Sequence, residues 1–409
     1  MEAVAQALLA KRHAAGYVNA CGTPEARHAV AVYHSYPEHN ISSDNVIIAN
    51  GCSGALELAL TALLDPGTAV LIPQPGFPLY QVIAESHGAS VIPYRLDQDR
   101  QWECDISYME QIMERYPKHH IRALIINNPS NPTGAVYSER HLRQILEFAN
   151  KHKLPILSDE VYGDLVFESQ TFHPLAQIAA RMGRRVPVIT ASGLAKQYLL
   201  PGWRVGWITF HDKYVYLSFG DYCFLIWFVL TYSRYLRILS LTNMNLDCCD
   251  LVFFSDSIYG SLRHVEAGAN RLAQVILGAS HLAQTAIPTC LSPRTPGIAE
   301  WKQRLRHTLE RQARFLCTRL GQSCHGLEVI MPQGAMYAII KIHCEQYDSM
   351  IQDDMDFTKL LLEEENVFVL PGSAFDVENV FRVVFCSPEA TLAVAADRIA
   401  AFCQRHAVV

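Results

Sequence analysis

Residues 188–196 read Val-Ile-Thr-Ala-Ser-Gly-Leu-Ala-Lys, an apolar run that ends in small residues and a lysine. The run predicts a buried strand over residues 188–191. Lys196 would then lie just beyond the carboxyl end of that strand. A lysine in this place can hold a carbonyl compound as a Schiff base. On this stretch alone, a solvent-facing loop lysine is the simpler interpretation.

Short apolar strands alternate with helical stretches on both sides of this run. Strands are predicted at 46–49, 69–72, 90–92, 122–126, 155–157, 188–191 and 205–210, and helices at 55–64, 79–86 and 139–152. The alternation is typical of an α/β fold with a mostly parallel sheet sandwiched by helices. Ligands of such sheets bind beyond the carboxyl ends of the strands. The loops that begin at Asn50, Asn127, Ser158 and Ser192 would lie there.

The pattern changes near Trp301. A long charged helix over 301–320 precedes strands at 336–342, 368–370 and 382–385 and a last helix at 392–405. Helices flanking a few strands predict a smaller α+β domain. We therefore expect a large domain over residues 1–298, which starts with a helix, a loop and a helix within 1–35, and a small C-terminal domain over 299–409.

Composition limits the class of partner. The chain has 409 residues, is half hydrophobic and carries a formal net charge of −6, which argues against nucleic acid or an anionic membrane as its main partner. Its start shows no secretory signal, and its twelve cysteines are scattered without metal-ligand spacing. We expect a cytoplasmic protein with reduced thiols and no metal site.

Three further segments bear on Lys196. They are 127–134 (Asn-Asn-Pro-Ser-Asn-Pro-Thr-Gly), 158–162 (Ser-Asp-Glu-Val-Tyr) and 201–207 (Pro-Gly-Trp-Arg-Val-Gly-Trp). Each is weak alone, since Asn131 can shape a turn, Asp159 can cap a helix and Arg204 can form a surface pair. Together, in this order and with Arg204 eight residues after Lys196, they are a strong signal.

In this order the segments resemble fold-type I aminotransferases that use pyridoxal phosphate (PLP). The lysine segment is most similar to that of the tyrosine aminotransferase group, and the resemblance covers roughly residues 15–212 and 256–405. It implies that PLP is held on Lys196. It also implies transfer of the amino group of an aromatic amino acid, with tyrosine expected, to a 2-oxo acid such as 2-oxoglutarate.

The resemblance implies a role for each polar residue near the lysine. Lys196 shuttles the α-proton, and Asp159 faces the pyridine nitrogen of PLP. A carboxylate about 4 Å away stabilises a protonated ring by roughly 4 kcal/mol at an effective dielectric constant near 20. That is about three pKa units. Tyr162 and Asn131 would bond the phenolic oxygen of the ring.

For the phosphate, the resemblance implies Arg204 and a helix start, whose residues are Cys52, Ser53 and Gly54. An ordinary serine N-cap would use the same geometry. Ser192 is a further candidate, one residue earlier than the family's usual serine. Tyr17 matches a tyrosine that family members donate to the neighbouring subunit, which implies a homodimer; a buried core tyrosine is the alternative.

Two residues would contact other parts of the ligands. Phe77 matches the aromatic residue that stacks on the cofactor ring, with a core phenylalanine as the alternative. Arg382 lies in a predicted apolar strand and needs an anion. The resemblance implies a bidentate grip on the substrate α-carboxylate, against a structural Arg–Glu bridge. Arg382 and Asn131 would bind substrate.

Other functions stay open. A PLP-dependent carbon–sulfur lyase or an alanine aminotransferase would use the same scaffold, and a catalytically impaired homologue would act as a binding protein. The last reading draws on the 213–254 insertion, which is rich in aromatics and follows neither the helical nor the strand period. This segment is a docking loop, a membrane-interface segment or sequence foreign to the functional protein, such as a translated intron.

We expect the third interpretation of 213–254, because a long apolar loop without a period argues against itself. Family members also carry several dozen residues before the segment that begins here. Sequencing the transcript tests both points. A message without codons 213–254 and with further upstream codons is the expected result, and a message identical to this sequence contradicts it.

Overall fold

The computed structural model describes residue 5 and residues 16–117, 120–183, 186–211 and 262–408. The 213–254 segment lies outside these residues, as does much of the helical region predicted before residue 35. All statements on the fold refer to the described ranges.

The main sheet has eight strands. They are β1 Val46–Asn50, β2 Ala69–Gln74, β3 Ser90–Asp97, β4 Glu103–Cys104, β5 Ile121–Asn127, β6 Ile156–Asp159, β7 Val188–Gly193 and β8 Val205–His211. Their order is β1-β8-β7-β6-β5-β2-β3-β4, in which β7, β6, β5, β2 and β3 run parallel. β8 is antiparallel to both of its neighbours, and β4 is antiparallel to β3. The predicted, mostly parallel sheet is confirmed.

Helices cover both faces of this sheet. They are α1 Pro24–Tyr33, α2 Gly51–Leu63, α3 Leu79–Ser86, α4 Ile106–Arg115, α5 Glu139–His152, α6 Leu175–Met182, α7 Leu194–Gln197, α8 Arg263–Ile276, α9 His281–Gln284 and α10 Ile287–Leu291. Val70 and Ile72 of β2 belong to the core that contains α2, whereas Ala69 and Leu71 belong to the core that contains α4 and α5. This alternation is the two-residue period of a strand buried on both faces.

A second unit follows, in which helices flank a four-stranded antiparallel sheet. Its elements are α11 Ile298–Ser323, β9 Leu327–Val329, β10 Tyr337–Ile342, α12 Asp354–Glu365, β11 Leu370–Pro371, β12 Val380–Val384 and α13 Glu389–His406. The strand order is β11-β12-β10-β9. The predicted smaller α+β unit is therefore present. The boundary at 298/299 stays a prediction.

Some element predictions were wrong in their bounds. The helix predicted from Ala55 begins at Gly51. The prediction started too late because the first turn lacks the apolar residues that mark the rest of the helix. The strand predicted at 368–370 is Leu370–Pro371 instead. Val367 and Val369 are buried and Phe368 is 72% exposed, so the alternation is real, but pairing to β12 starts only at Leu370. Sequence analysis gave no bounds for the helices α4, α6, α7, α8, α9, α10 and α12 or for the strands β4 and β9.

Glycines allow the start of α2 to pack directly on the ends of β7 and β8. A Cβ on Gly206 would lie 2.4 Å from the Cys52 nitrogen and 2.4 Å from the Gly51 carbonyl carbon. A Cβ on Gly193 would lie 2.7 Å from the Val205 oxygen and 2.9 Å from the Gly206 Cα. Real Cβ atoms do not approach other atoms so closely, so any side chain at Gly206 would push α2 outward.

Among the residues that the structure describes, no helix combines the length and the apolar character needed to cross a bilayer. The nine cysteines in the same ranges are all free thiols.

Candidate active site

Lys196 lies between the two sheets. β7 ends at Gly193, and the short helix α7 then presents Lys196 half-buried. Its Nζ lies 3.5 Å from the Tyr337 hydroxyl and 5.8 Å from the centre of the Tyr162 ring. The lysine is therefore no solvent-facing loop residue, and the second sheet contributes to its surroundings through Tyr337.

Two tyrosines form one wall beside the lysine. The hydroxyls of Tyr162 and Tyr337 lie 3.0 Å apart, and their rings meet edge to face. Burial, followed by the neighbouring Tyr337, raises the pKa of Tyr162 well above its ordinary value. Tyr162 therefore acts as a hydroxyl donor rather than as a phenolate. Sequence analysis missed Tyr337, since a tyrosine in an apolar strand gives no signal of its own.

Asp159 ends β6 and is fully enclosed. The Tyr80 hydroxyl donates to its Oδ2 at 2.8 Å, the Val161 amide donates to Oδ1 at 3.2 Å, and the Cys52 thiol lies 3.8 Å from Oδ1. Burial raises the pKa of Asp159, against the lowering effect of these donors. Asp159 caps no helix. Tyr80 was not found from the sequence, where it appears only as one aromatic residue of α3.

Arg382 and Asn131 meet across the two sheets. Nη1 of Arg382 donates to the Asn131 Oδ1 at 2.9 Å, and the backbone N–H of Asn131 donates to the Asn127 Oδ1 at 2.7 Å. The guanidinium carbon lies 4.3 Å from the centre of the Tyr337 ring and 4.7 Å from that of Phe375. Burial lowers the pKa of Arg382. Phe375 was also missed by sequence analysis.

The alternative of a structural Arg–Glu bridge is wrong for the described part of the chain. The partners of Arg382 there are an amide oxygen and two rings, and its buried Nε has no hydrogen-bond partner. A desolvated guanidinium edge without an anion is costly. It is therefore a candidate for binding a carboxylate that comes from outside the chain.

Arg204 lies against the first turn of α2. Its Nη2 donates to the Ser53 Oγ at 2.7 Å and to the Asn50 carbonyl at 3.2 Å. The N-cap of α2 is Asn50, which makes no side-chain capping bond, so the serine N-cap interpretation is wrong. Gly54 follows in the same turn, and Cys52 faces Asp159. A helix start with a guanidinium and a hydroxyl suits an anion.

The structure does not bring every predicted residue to this place. Ser192 is buried and accepts a hydrogen bond from the Gln197 side-chain amide at 3.0 Å, and its hydroxyl lies 3.5 Å from the Glu160 carbonyl. Tyr17 is 94% exposed, so the buried-core alternative is wrong. Phe77 is partly buried and meets the Tyr80 ring edge to face, with 5.8 Å between ring centres.

Comparison with known proteins agrees with this geometry. A family model described as aminotransferase class I and II matches residues 1–399. The chain belongs to this family. It is 34% identical over 391 residues to a tyrosine aminotransferase of Dictyostelium discoideum, covering 96% of this chain and 81% of that one. It is 35% identical to a tyrosine aminotransferase of Bos taurus, covering 96% of this chain and 75% of that one.

Solved structures give the same result. A tyrosine aminotransferase from Leishmania infantum superposes with a TM-score of 0.81 at 29% identity, over all of this chain and 87% of that one. An alanine aminotransferase from Pyrococcus furiosus superposes with a TM-score of 0.79 at 25% identity, over 99% of this chain and 87% of that one. The protein is a transaminase, which moves an amino group from an amino acid to a 2-oxo acid.

The bond between Tyr80 and Asp159 leads to a stability prediction. A hydrogen bond to a charged group contributes about 1.5–3 kcal/mol, and a neutral one about 0.5–1.5 kcal/mol. Tyr94 is a matched control, since it is equally buried and donates to the Ile125 carbonyl at 2.7 Å. In urea unfolding at pH 8, we expect Tyr80→Phe to lower the free energy of unfolding more than Tyr94→Phe does. Equal losses would contradict a charged acceptor at Asp159.

Proposed function

We propose that this aminotransferase holds PLP on Lys196 and transfers the amino group of an aromatic amino acid to a 2-oxo acid. The expected donor is tyrosine, and 2-oxoglutarate is an expected acceptor. One observation carries the proposal: the Lys196 amine lies 3.5 Å from the Tyr337 hydroxyl and faces Tyr162, and Tyr337 also contacts Arg382, whose buried Nε has no hydrogen-bond partner in the described part of the chain. The cytoplasmic location expected from the sequence stays a prediction.

The donor set fits PLP at each of its polar groups. The start of α2, Ser53 and Arg204 present N–H, hydroxyl and guanidinium donors for a phosphate. Asp159 offers a buried carboxylate for a protonated pyridine nitrogen. Because burial raises the pKa of Asp159, a cation beside it would offset that cost and keep both groups charged. Tyr162 keeps its proton and can donate it to the phenolic oxygen.

Once bound, PLP supplies an electron sink for the substrate carbon that loses its proton. The residues of the chain do the rest. Once the substrate amine has replaced Lys196 on the cofactor, the freed Lys196 amine would take the α-proton of the substrate and give it back to the cofactor. Tyr337 lies 3.5 Å from that amine and would orient it. Arg382 holds the substrate carboxylate through Nε and Nη2, because Nη1 already bonds Asn131.

The choice of aromatic donor rests on the relatives. Two curated tyrosine aminotransferases reach 34–35% identity over 96% of this chain. The structural likeness to an alanine aminotransferase favours alanine as the second candidate donor. A carbon–sulfur lyase has no observation in its favour beyond the shared scaffold. The impaired homologue is disfavoured because Lys196 and Arg382 both contact Tyr337, whose hydroxyl lies 3.0 Å from that of Tyr162.

Cofactor binding can be read directly by absorbance. We expect purified protein with added PLP to show a pH-sensitive band, which is lost in Lys196→Ala and retained in the surface control Lys341→Ala. Tyrosine, alanine and cystine assayed side by side should give the highest turnover with tyrosine. No band in the wild type would contradict the cofactor proposal, and pyruvate from cystine alone would contradict transamination.

We also propose a homodimer with shared active sites. The end of α8 exposes an apolar strip, with Val275 81%, Ile276 45% and Leu277 57% exposed. A cavity of about 220 Å³ opens beside this strip and is lined by Ile276, Ser53 and Arg204. A second copy would cover the strip, and the exposed Tyr17 of that copy would reach the phosphate donors.

Mixing two inactive variants tests this exchange. If Tyr17 acts on the neighbouring subunit, dimers formed between Tyr17→Ala and Lys196→Ala chains contain one intact site. After unfolding and refolding as an equal mixture, we expect about a quarter of the wild-type activity, since half of the dimers are mixed and each has one working site of two. Activity no higher than that of the Tyr17→Ala parent would contradict a shared site.

A further inference from the structure

A half-buried ion pair joins α11 to the turn that follows β6. The Lys302 Nζ lies 2.5 Å from the Asp164 Oδ2, and the two side chains are only 17% and 21% exposed. The other carboxylate oxygen of Asp164 accepts a hydrogen bond from the Tyr33 hydroxyl at 3.3 Å. Because Tyr33 ends α1, the pair connects three elements that are distant in sequence.

Lys302 also contacts the segment that carries Lys196. Its Nζ lies 4.7 Å from the centre of the Tyr198 ring, within the range of a cation–π interaction. The same ring stacks on Trp301, with 5.9 Å between ring centres and an angle of 6° between planes. Tyr198 is the C-cap of α7, and its amide nitrogen donates to the Leu194 carbonyl at 3.1 Å. Movement of Tyr198 therefore moves the short helix that presents Lys196.

The contact of Lys302 with Asp164 connects it in the same way to Tyr162. Asp164 lies two residues after Tyr162, within a tight turn in which the Gly163 amide donates to Glu160 at 2.9 Å and the Leu165 amide donates to Tyr162 at 2.8 Å. A turn closed in this way transmits a shift at Asp164 to Tyr162. Lys302 thus holds two anchors, each two residues from a side chain of the active site.

Other ion pairs of α11 differ from this one. Arg311 pairs with Glu389 at 2.6 Å, but the two side chains are 59% and 39% exposed. Arg319 pairs with Asp397 at similar exposure. Exposed pairs of this kind contribute little, because water screens them and long side chains lose entropy. Removing Lys302 would instead leave a half-buried carboxylate without its cation.

We propose that Lys302 is a positioning residue for this transaminase: it sets the distance between Lys196 and Tyr162 through Tyr198 and Asp164. This inference rests on the proposed PLP function, in which Lys196 holds the cofactor and Tyr162 donates to its phenolic oxygen. It adds a residue of α11, more than 100 positions after Lys196 in the chain, to the control of that geometry.

The test uses the full chain loaded with PLP and compares Lys302→Met with Lys302→Arg and the control Arg311→Met. We expect Lys302→Met to lower kcat about tenfold, because small misplacements of reacting groups are costly. KM for the amino acid should change less than about twofold, since Arg382 keeps its contacts. The pH midpoint of the cofactor band should rise by roughly half a unit as the Tyr162 donation weakens.

The controls separate positioning from general stability. Lys302→Arg keeps the charge and should recover most of kcat, and Arg311→Met should match the wild type in kcat and in band midpoint. A Lys302→Met protein with the wild-type midpoint and the wild-type kcat would overturn the inference. If Lys302→Met does not fold, Asp164→Asn takes its place with the same expected shifts, and wild-type values in that variant would equally overturn it.

Failure of the underlying function gives a different result. A wild-type protein without a Lys196-dependent band would contradict the PLP proposal and with it the role of Lys302, whatever the variants do. A wild type with the band, together with unshifted variants, would overturn the Lys302 inference alone.

Discussion

The close approach of three backbone segments at Gly51, Gly193 and Gly206 is the constraint on which the site depends. The glycine contacts leave no room for a side chain between the start of α2 and the ends of β7 and β8. Because of this contact, the donors of α2 and Arg204 lie beside the strand that leads to Lys196. A side chain at Gly206 would separate the proposed phosphate donors from the lysine without changing either one.

Two buried ionisable groups define the electrostatics of the candidate site. Burial acts on Asp159 and Arg382 in opposite directions, since it raises the pKa of the carboxyl and lowers that of the guanidinium. Each of these groups is stabilised in its charged form by an ion of opposite sign. A ligand with a cationic ring nitrogen at one end and a carboxylate near the other end would satisfy both. Under the proposed function, the cofactor ring would supply the cation beside Asp159, and the substrate would supply the carboxylate beside Arg382.

The sequence predicted the residues that follow strand ends and missed those that approach from elsewhere. Asp159 and Lys196 could be predicted because a buried strand indicates where the residues at its end lie. Tyr80, Tyr337 and Phe375 could not be predicted, since they come from a helix, the second sheet and a short 3₁₀ helix whose packing no local pattern fixes. Ser192 was predicted to contact the phosphate, but its hydroxyl accepts a hydrogen bond from Gln197. Successive residues of a strand face opposite sides of the sheet, so a difference of one position redirects a side chain. The glycine at position 193 is explained by space, because the Val205 carbonyl occupies the place of any side chain.

The strand order has a consequence for synthesis. Among the described residues β1 pairs with β8 alone, and β8 is made about 155 residues after Asn50. At translation rates of about 5–20 residues per second, this corresponds to a wait of roughly 8–30 s. During that interval Val46, Ile47 and Ile48, which are fully buried in the finished fold, have no partner strand. A nascent chain of this topology therefore exposes an apolar, unpaired strand early, and such a strand is open to aggregation until β8 is made.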